Sequence, residues 1–424
     1  MARKRDPAMK IVDAALPAAF REEPADDLNL CDVTIEGGRI ALVEPAAGLA
    51  DGIDAAGGIL VPAFVDMHTH LDKGHIWPRT PNPDGTFAGA LAATGEDHRF
   101  WSADDLRARM TFALETAYAR GTAAIRTHID SMPPQDAISW PVFAELRAEW
   151  AGRITLQGAS LMGIEGVPDD PGPLFDHVTR HGGIVGAVLY AVPPMQAKVA
   201  RLMEEAEARG LDIDFHVDEN LDPASNCLAV VAAEAKRIGF SGTITCGHCC
   251  SLMAMDESTA DRTLDAVAEA GISIVSLPMC NQYLQDRRAG RTPRIRGGTL
   301  VHEMAARGIP VAIASDNTRD PFYAYGDLDM VEVWREATRI LHLDHPVGAW
   351  PLAFSATPAA IMGLPDRDRL APGAPADVVL FKARSWTELF ARPQYDRIVI
   401  RNGAVLEAAP PDYCELDGLW ISPR

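Results

Sequence analysis

The sequence predicts an α/β protein, a (β/α)₈ barrel with a small β-sandwich domain built from both chain ends. Three observations support this prediction. Short apolar, β-rich segments recur along the middle of the chain, and segments of helical period rich in Ala, Glu, Arg and Leu separate them. Both ends show alternating strand patterns instead. Strands that alternate with helices form parallel sheets, and eight such units suit a closed barrel.

The barrel strands are predicted at eight apolar segments. They lie near Ile59–His68, Thr122–Asp130, Ile154–Leu161, Ile184–Ala191, Leu211–Val217, Thr243–His248, Ile272–Leu277 and Ile309–Asp316. The helices between them are followed by glycines at positions where left-handed C-caps are expected. Four of these helices lie near Ala103–Arg120, Gln196–Arg209, Ser225–Ile238 and Ala260–Glu269. The pattern is typical of a TIM-like barrel.

The two ends of the chain carry a different pattern. Leu28–Val43 and Asp377–Leu406 alternate like strands, with turn signals at Glu36-Gly37-Gly38 and Asn402-Gly403, and no helix is predicted within either segment. We therefore expect the ends to pair as one β-sandwich. This divides the chain into residues 1–62, a catalytic barrel at 63–368, and the second part of the sandwich at 369–424.

Composition and charge restrict the kind of partner. Of the 424 residues, 47% are hydrophobic, which is enough to bury a large core. The formal net charge of −20 repels phosphate backbones and anionic lipid, and no apolar run approaches the length of a membrane span. We expect a small-molecule partner rather than nucleic acid or membrane. A homo-oligomer is compatible with this composition.

The cysteines and the start of the chain indicate the compartment. Seven cysteines form an odd set without framework spacing, as expected of reduced thiols. The basic start at Met1–Arg5 resembles part of a signal peptide, but the apolar stretch after it is short and is interrupted by Asp13. The sequence therefore predicts a cytoplasmic protein without an export signal.

Two histidines end the first predicted strand. His68 and His70 stand two residues apart, and because strand side chains alternate between faces, both imidazoles point the same way. A single histidine is more often a satisfied core residue than a metal ligand. Two at this spacing at the end of a first strand favour a metal site.

Further polar residues follow other predicted strands. Catalytic groups of barrels collect at the carboxyl ends of the strands, and a set of imidazoles with one carboxylate suits Zn²⁺ or Fe²⁺ with a position kept for water. His248 is expected to orient that water, with direct ligation as the alternative, and Asp316 is also a candidate acceptor of the water's proton. The predicted ligands are His68, His70, His216 and Asp316.

Glu219 lies three residues after His216, on the loop that follows the fifth predicted strand. A carboxyl group there can move protons between a ring nitrogen and a leaving amine. The alternative is a solvated loop acid, as an acidic protein has many. We predict that Glu219 is catalytic.

At these residues the chain resembles the cytosine deaminase branch of the amidohydrolase superfamily, and it is similar to N-isopropylammelide amidohydrolases. The resemblance implies a single metal on the ligands predicted above, with His248 and Glu219 in water activation and proton transfer. Binuclear relatives use a carboxylated lysine after strand 4, which residues 185–191 lack. The matching segments are Pro62–Asp72, Arg126–Asp130, His216–Glu219, His248, Ser315–Asn317 and Ala376–Leu380.

Two positions depart from the cytosine deaminase pattern. Where those enzymes carry a glutamine after strand 3, this chain has Met162, and where they tend to pair aspartates after strand 8, it has Asp316 and Asn317, as in the triazine enzymes. We expect Met162 and Asn317 to bind substrate. An apolar Met162 favours a substituted or larger ring over cytosine.

The hypothesis is a metal-dependent hydrolytic deaminase of a cytosine-like aminated heterocycle. Metal-bound hydroxide attacks an amidine-like ring carbon, and ammonia or an amine leaves. The alternatives are hydrolysis of a cyclic amide or of an N-alkylaminotriazine and, outside enzymes, a barrel with a purely structural metal. The last is disfavoured because a structural site is closed by four ligands and has no need of His248 and Glu219.

Overall fold

The structure is a computed structural model, and it describes residues 9–22, 27–48, 51–364, 366–367 and 369–420. Met1–Arg5, on which the expectation about export depends, lies outside these residues. The chain divides into two compact units. The terminal unit comprises Met1–Asp66, Glu115–Ala124 and Asp329–Pro410, and the central unit comprises Met67–Leu114, Ile125–Leu328 and Pro411–Arg424. This division differs from the predicted domains at residues 63–66, 115–124, 329–368 and 411–420.

Eight of the described strands lie in the middle of the chain, and the others lie toward its two ends. They are β1 (Met9–Pro17), β2 (Leu28–Glu36), β3 (Arg39–Pro45), β4 (Ile53–Asp54), β5 (Leu60–Pro62), β6 (Phe64–Thr69), β7 (Thr122–Asp130), β8 (Thr155–Leu161), β9 (Val188–Leu189), β10 (Ile213–Val217), β11 (Ile244–His248), β12 (Ser273–Ser276), β13 (Val311–Ile313), β14 (Val378–Leu380), β15 (Ile398–Arg401) and β16 (Ala404–Val405).

The α-helices mostly lie between the middle strands. They are α1 (Phe87–Asp97), α2 (Ala103–Ala119), α3 (Asp136–Glu149), α4 (Gly172–Arg180), α5 (Met195–Arg209), α6 (Cys227–Ile238), α7 (Glu257–Glu269), α8 (Pro278–Leu284), α9 (Val301–Ala306), α10 (Met330–Leu341), α11 (Ala356–Ile361) and α12 (Trp386–Ala391). The four predicted helices are confirmed as α2, α5, α6 and α7. Gly210 and Gly239 end α5 and α6 in the left-handed conformation, as predicted.

Parallel strands form two sheets. One has the order β13-β12-β11-β10-β9 and the other β6-β7-β8. Isolated parallel bridges join Thr69 to Asp316 and Gly163 to Val188, residues that stand at or beside the edge strands of these sheets. The predicted α/β class with parallel strands is thereby confirmed.

Most of the parallel strands are buried along their length. Every residue of β6, β10, β11 and β12 is buried, as expected for strands covered on both faces. Polar side chains at their carboxyl ends are consequently held in surroundings with little water, where an imidazole or carboxylate needs a partner.

The terminal unit contains two four-stranded sheets, with the orders β3-β2-β1-β4 and β16-β15-β14-β5. In the second, β14 pairs antiparallel with both β15 and β5, so strands from the two ends of the chain share one sheet. The backbone N–H of Ala376 also donates to the carbonyl of Gly38 at 2.9 Å. These contacts tie the two end segments together.

Two predicted strands are not continuous. The strand expected near Ile59–His68 is two strands, β5 and β6, because the chain changes partners at Ala63: its N–H donates to Asp377, and the N–H of Phe64 donates to Gly121. The strand expected near Ile184–Ala191 is regular only at β9, and Ile184 pairs through an isolated bridge. Local hydrophobicity does not reveal such changes of partner.

The expectation of no helix within Asp377–Leu406 is wrong, since α12 lies there. The side chain of Ser385 caps this helix by accepting from the backbone N–H of Glu388. The N–H of Arg384 donates back to the Glu388 carboxylate at 2.8 Å. This Ser-x-x-Glu spacing is a helix-start signal.

In the described part of the chain, no helix combines the length and hydrophobicity that crossing a membrane requires.

Candidate active site

A cavity of about 470 Å³ opens in the central unit where the parallel strands end. Both polar and apolar side chains line it, and several of the residues singled out from the sequence are among them. Its volume lies within the range of small-molecule sites, roughly 300–1,000 Å³. Predicted site residues that line it are His70, Met162, His216, Glu219, His248, Asp316 and Asn317.

Four side chains converge beside this cavity. The Nε2 atom of His216 lies 3.1 Å from Nε2 of His68 and 3.4 Å from Nε2 of His70. Oδ1 of Asp316 lies 3.2 Å from Nε2 of His70 and 3.8 Å from Nε2 of His68. The structure thus brings the four predicted ligands together.

Backbone contacts fix the position of Asp316. Asp316 adopts a left-handed φ of 65°, an uncommon conformation for a residue other than glycine. Its N–H donates to the carbonyl of His68 at 2.9 Å, and the hydroxyl of Thr69 donates to its carbonyl at 2.7 Å. The carboxylate is therefore held directly against the end of β6.

The donor set fits a cation. Burial lowers the pKa of His68, His70 and His216 well below the ordinary value, so these rings are neutral. A neutral imidazole carries a single N–H, so Nε2 atoms that face one another cannot all be satisfied by hydrogen bonds among themselves. Ligand atoms placed tetrahedrally at about 2.0–2.2 Å from one Zn²⁺ are about 3.3–3.6 Å from one another, close to the 3.1–3.8 Å that separate the atoms here. Three imidazoles and a carboxylate in this arrangement suit one divalent metal ion.

His128 also belongs to this group, although the sequence reasoning gave it no role. Its ring centre lies 4.0 Å from that of His68 and 4.5 Å from that of His216, and it is fully buried. These three imidazoles form a second set whose nitrogens are close enough to hold a metal. His128 stands near the end of β7, so the strand-end rule used for His216 could have found it.

Glu219 faces the cavity beside His248. Its side chain is only 8% exposed, with Oε1 3.4 Å from Nδ1 of His248. Burial first, and then the charge of Asp316, raise the pKa of Glu219 well above its ordinary value. Burial lowers the pKa of His248 to about 3. The surroundings therefore favour the protonated form of this carboxyl and the neutral form of the imidazole.

Asn281 connects these two groups and was not singled out from the sequence. Its Nδ2 atom lies 3.2 Å from Oε1 of Glu219 and 3.0 Å from Nδ1 of His248. It sits on α8, and only 2% of the residue is exposed. No motif marks such a residue, because the contact depends on how α8 packs against the end of β11.

The two predicted substrate-binding residues both line the cavity. Met162 is 7% exposed. Nδ2 of Asn317 donates to Oδ2 of Asp320 at 2.7 Å, and the thiol of Cys280 donates to Oδ1 of Asn317 at 3.6 Å. The amide orientation of Asn317 is thereby fixed, with one N–H and one oxygen lone pair left over.

A paired cation completes the polar lining. Nζ of Lys73 lies 2.6 Å from Oδ1 of Asp130, and Nε2 of His98 lies 3.1 Å from the other carboxylate oxygen. Burial raises the pKa of Asp130, but Lys73 and His98 outweigh it and lower the pKa to about 2. Asp130 stays ionised, so the charge of Lys73 is matched within the protein.

Comparison with known proteins places these features in context. Residues 113–406 match the model of a family described as the amidohydrolase family. A pterin deaminase of Rhizobium rhizogenes is 51% identical over 413 residues, which cover 96% of this chain and 94% of the relative.

Solved structures are similar over nearly the full length. A 5-methylcytosine deaminase from Klebsiella pneumoniae, liganded with phosphonocytosine, has a TM-score of 0.82 and 26% identity and covers 95% of this chain and 99% of its own. An N-isopropylammelide isopropylaminohydrolase from Burkholderia multivorans has a TM-score of 0.75 and 25% identity, with 94% and 97% covered. The resemblance noted from sequence motifs is confirmed.

Proposed function

The chain belongs to the amidohydrolase family and is a hydrolase that acts on carbon–nitrogen bonds; from this premise we propose that it is a metal-dependent hydrolytic deaminase of pterins. The proposal rests above all on the buried carboxyl of Glu219, which shares one cavity with the converging donors His70, His216 and Asp316. The 51% identity to a pterin deaminase supports the choice of substrate. A pterin carries its amino group on an amidine-like ring carbon, as the hypothesis from the sequence requires.

One divalent ion, Zn²⁺ or Fe²⁺, is assigned to His68, His70, His216 and Asp316. The set that includes His128 is less favoured, because His128 does not line the cavity whereas His70 and Asp316 do. When bound, such an ion would supply a water molecule whose pKa is lowered to about 7. His248 is assigned a place beside that water.

The proton transfers fall to two carboxyl groups. Glu219 gives its proton to the ring nitrogen next to the attacked carbon, while Asp316 takes a proton from the water. When the tetrahedral carbon collapses, its hydroxyl proton returns to Glu219 and the proton on Asp316 goes to the leaving amino group. One water is added and one ammonia leaves, so both side chains regain their starting states.

The cavity suits a flat ring system larger than cytosine. Met162, Leu161 and Phe322 offer apolar surface along its wall, and an aromatic ring face packs well against a thioether. The remaining N–H and lone pair of Asn317 can meet an amide-like edge. Where cytosine deaminases carry a glutamine, Met162 provides no hydrogen bond to a pyrimidine edge.

The finer architecture is part of the same proposal. The bridges from Thr69 to Asp316 and from Gly163 to Val188 join the neighbouring edges of the two parallel sheets, which supports a closed (β/α)₈ barrel. The sheet that combines β5 with β14 supports a β-sandwich made from both chain ends.

The test compares substrates on purified, metal-loaded protein. We expect kcat/KM for ammonia release from pterin to exceed that from cytosine by about 10–200-fold, the discrimination that an apolar contact supplies. Met162→Gln should narrow this ratio. Met253→Gln is the matched control, because Met253 is 42% exposed and does not line the cavity.

Other results would point elsewhere. Preference for cytosine would contradict the inference that Met162 disfavours a pyrimidine edge. Loss of isopropylamine from N-isopropylammelide, without action on pterin, would favour the N-alkylaminotriazine alternative. Ring opening without ammonia would indicate a cyclic amidohydrolase.

A further inference from the structure

We propose that Asn281 is a positioning residue of the active site, which fixes the tautomer of His248 so that an Nε2–H group faces the substrate. The inference rests on the proposed function, because it assigns His248 a donor role in deamination. It is carried by the two contacts of the Asn281 amide and by the geometry of the Glu219–His248 pair.

Glu219 and His248 do not form a good hydrogen bond with each other. Oε1 and Nδ1 are 3.4 Å apart, whereas the amide nitrogen of Asn281 lies closer to both, at 3.2 Å and 3.0 Å. An amide NH₂ has two hydrogens and no acceptor capacity. Asn281 can thus donate one hydrogen to each, which leaves Nδ1 and Oε1 both as acceptors.

This arrangement determines where the proton of His248 resides. A neutral imidazole carries one hydrogen, and Nδ1 cannot carry it while accepting from Asn281. The hydrogen is then on Nε2. Among the described residues Nε2 of His248 has no hydrogen-bond partner, and His248 lines the cavity. It is available to donate to the oxygen that gains negative charge at the attacked carbon.

The same contact restricts Glu219. Because Oε1 accepts from Asn281, Oε2 is the oxygen on which this carboxyl can carry a proton. Asn281 is also well placed to hold its orientation, since it is 2% exposed on α8. Without the amide, Nδ1–H of His248 could donate directly to Oε1, and Nε2 would become an acceptor. The substrate would then meet a lone pair in place of a hydrogen.

The experiment uses Asn281→Asp, which replaces the donor by an acceptor of the same shape, and Asn281→Ala. Gln282→Ala, on the same helix but outside the cavity lining, is the control. Metal content should be unchanged in all three. We expect kcat on pterin to fall by about 10²–10³ in both Asn281 variants, with KM changed by less than about threefold, as for the loss of one preorganised donor. The control should retain wild-type values.

Histidine-selective ¹⁵N NMR of the zinc-loaded protein reads the tautomer without substrate, with the His248 signals assigned from His248→Asn. The wild type should carry the hydrogen on Nε2, and Asn281→Asp should move it to Nδ1. An Nδ1–H wild type, an unchanged tautomer in Asn281→Asp, or normal kcat in Asn281→Ala would overturn the inference. If the wild type does not deaminate pterin but the tautomer switches as expected, the proposed substrate fails while the positioning contact stands.

Discussion

Two buried polar clusters of the central unit satisfy their polar atoms in opposite ways. In the arginine cluster, cations and carboxylates bond to one another, whereas in the histidine cluster neutral nitrogens face one another. The arginine cluster consists of Arg79, Asp97, Asp105 and Arg109, and the histidine cluster consists of His68, His70, His216 and Asp316. Buried polar groups need partners, so the first cluster is complete by itself and the second is suited to a ligand.

The distances show the contrast. Arg79 donates to both oxygens of Asp97 at 2.8 Å, and Arg109 donates to Asp105 at 2.8 Å and to the carbonyl of Asp72 at 2.6 Å. No comparable donor reaches the facing Nε2 atoms within the described histidine cluster. Loss of a group from the arginine cluster should therefore cost stability, whereas loss from the histidine cluster should cost metal binding and activity.

The largest effect is expected from metal removal. Purified protein should hold about one Zn or Fe per chain, and chelation should abolish turnover, since the histidine cluster has no other source of an activated water. Elemental analysis with ammonia assays checks this, and added Zn²⁺ should restore activity. Full activity with no metal, or with two tightly held metals, would contradict the assignment.

The next effect concerns Glu219. Glu219→Gln retains the shape but removes the proton carrier, so kcat should fall by about 10²–10⁴ while the metal stays bound. Glu165→Gln is the matched control, because Glu165 also borders the cavity but is exposed to solvent. A near wild-type kcat in Glu219→Gln would exclude the catalytic role.

The arginine cluster should respond through stability. Asp97→Ala removes the carboxylate that accepts from Arg79 and from the indole N–H of Trp101, while Arg79 keeps its bond to Asp105. The buried donors left without an acceptor should lower the free energy of unfolding by about 1–3 kcal/mol. Metal content per folded chain should not change. The exposed neighbour serves as the control, and Glu96→Ala should stay within about 0.5 kcal/mol of wild type in urea denaturation.

The smallest effect is the pH dependence of that cluster. Burial raises the pKa of Asp97, but hydrogen bonds from Arg79, Thr80 and Trp101 outweigh it and hold the pKa below its ordinary value. The stabilisation is fully present above the pKa of the unfolded chain, about 3.9, and is lost as the pH falls through the lower folded value. Urea midpoints should therefore fall below about pH 4 more steeply in wild type than in Asp97→Asn. Equal slopes would remove Asp97 from this account.

The sequence was sufficient to predict those site residues whose positions follow from the regular geometry of the strands. His68 and His70 share a face because strands alternate, and Asp316 reaches them because parallel strands end at one edge. Asn281 and Lys73 were missed because their contacts come from packing between elements far apart in the chain. The division of the first predicted strand at Ala63 was missed for the same reason, since its first half pairs near residue 377 and its second half near residue 121.

The locked amide of Asn317 bears on turnover as well as on binding. Deamination changes the hydrogen-bond pattern of the ring edge, because an amino donor becomes a carbonyl acceptor. A freely rotating carboxamide could rotate by 180° and so match the hydrogen-bond patterns of substrate and product equally well. With one hydrogen committed to Asp320 and its oxygen approached by Cys280, Asn317 keeps one orientation, so its remaining N–H and its remaining lone pair each stay in a fixed place. Where this amide meets the altered edge, the pocket would fit the product less well than the substrate, and product release would be favoured.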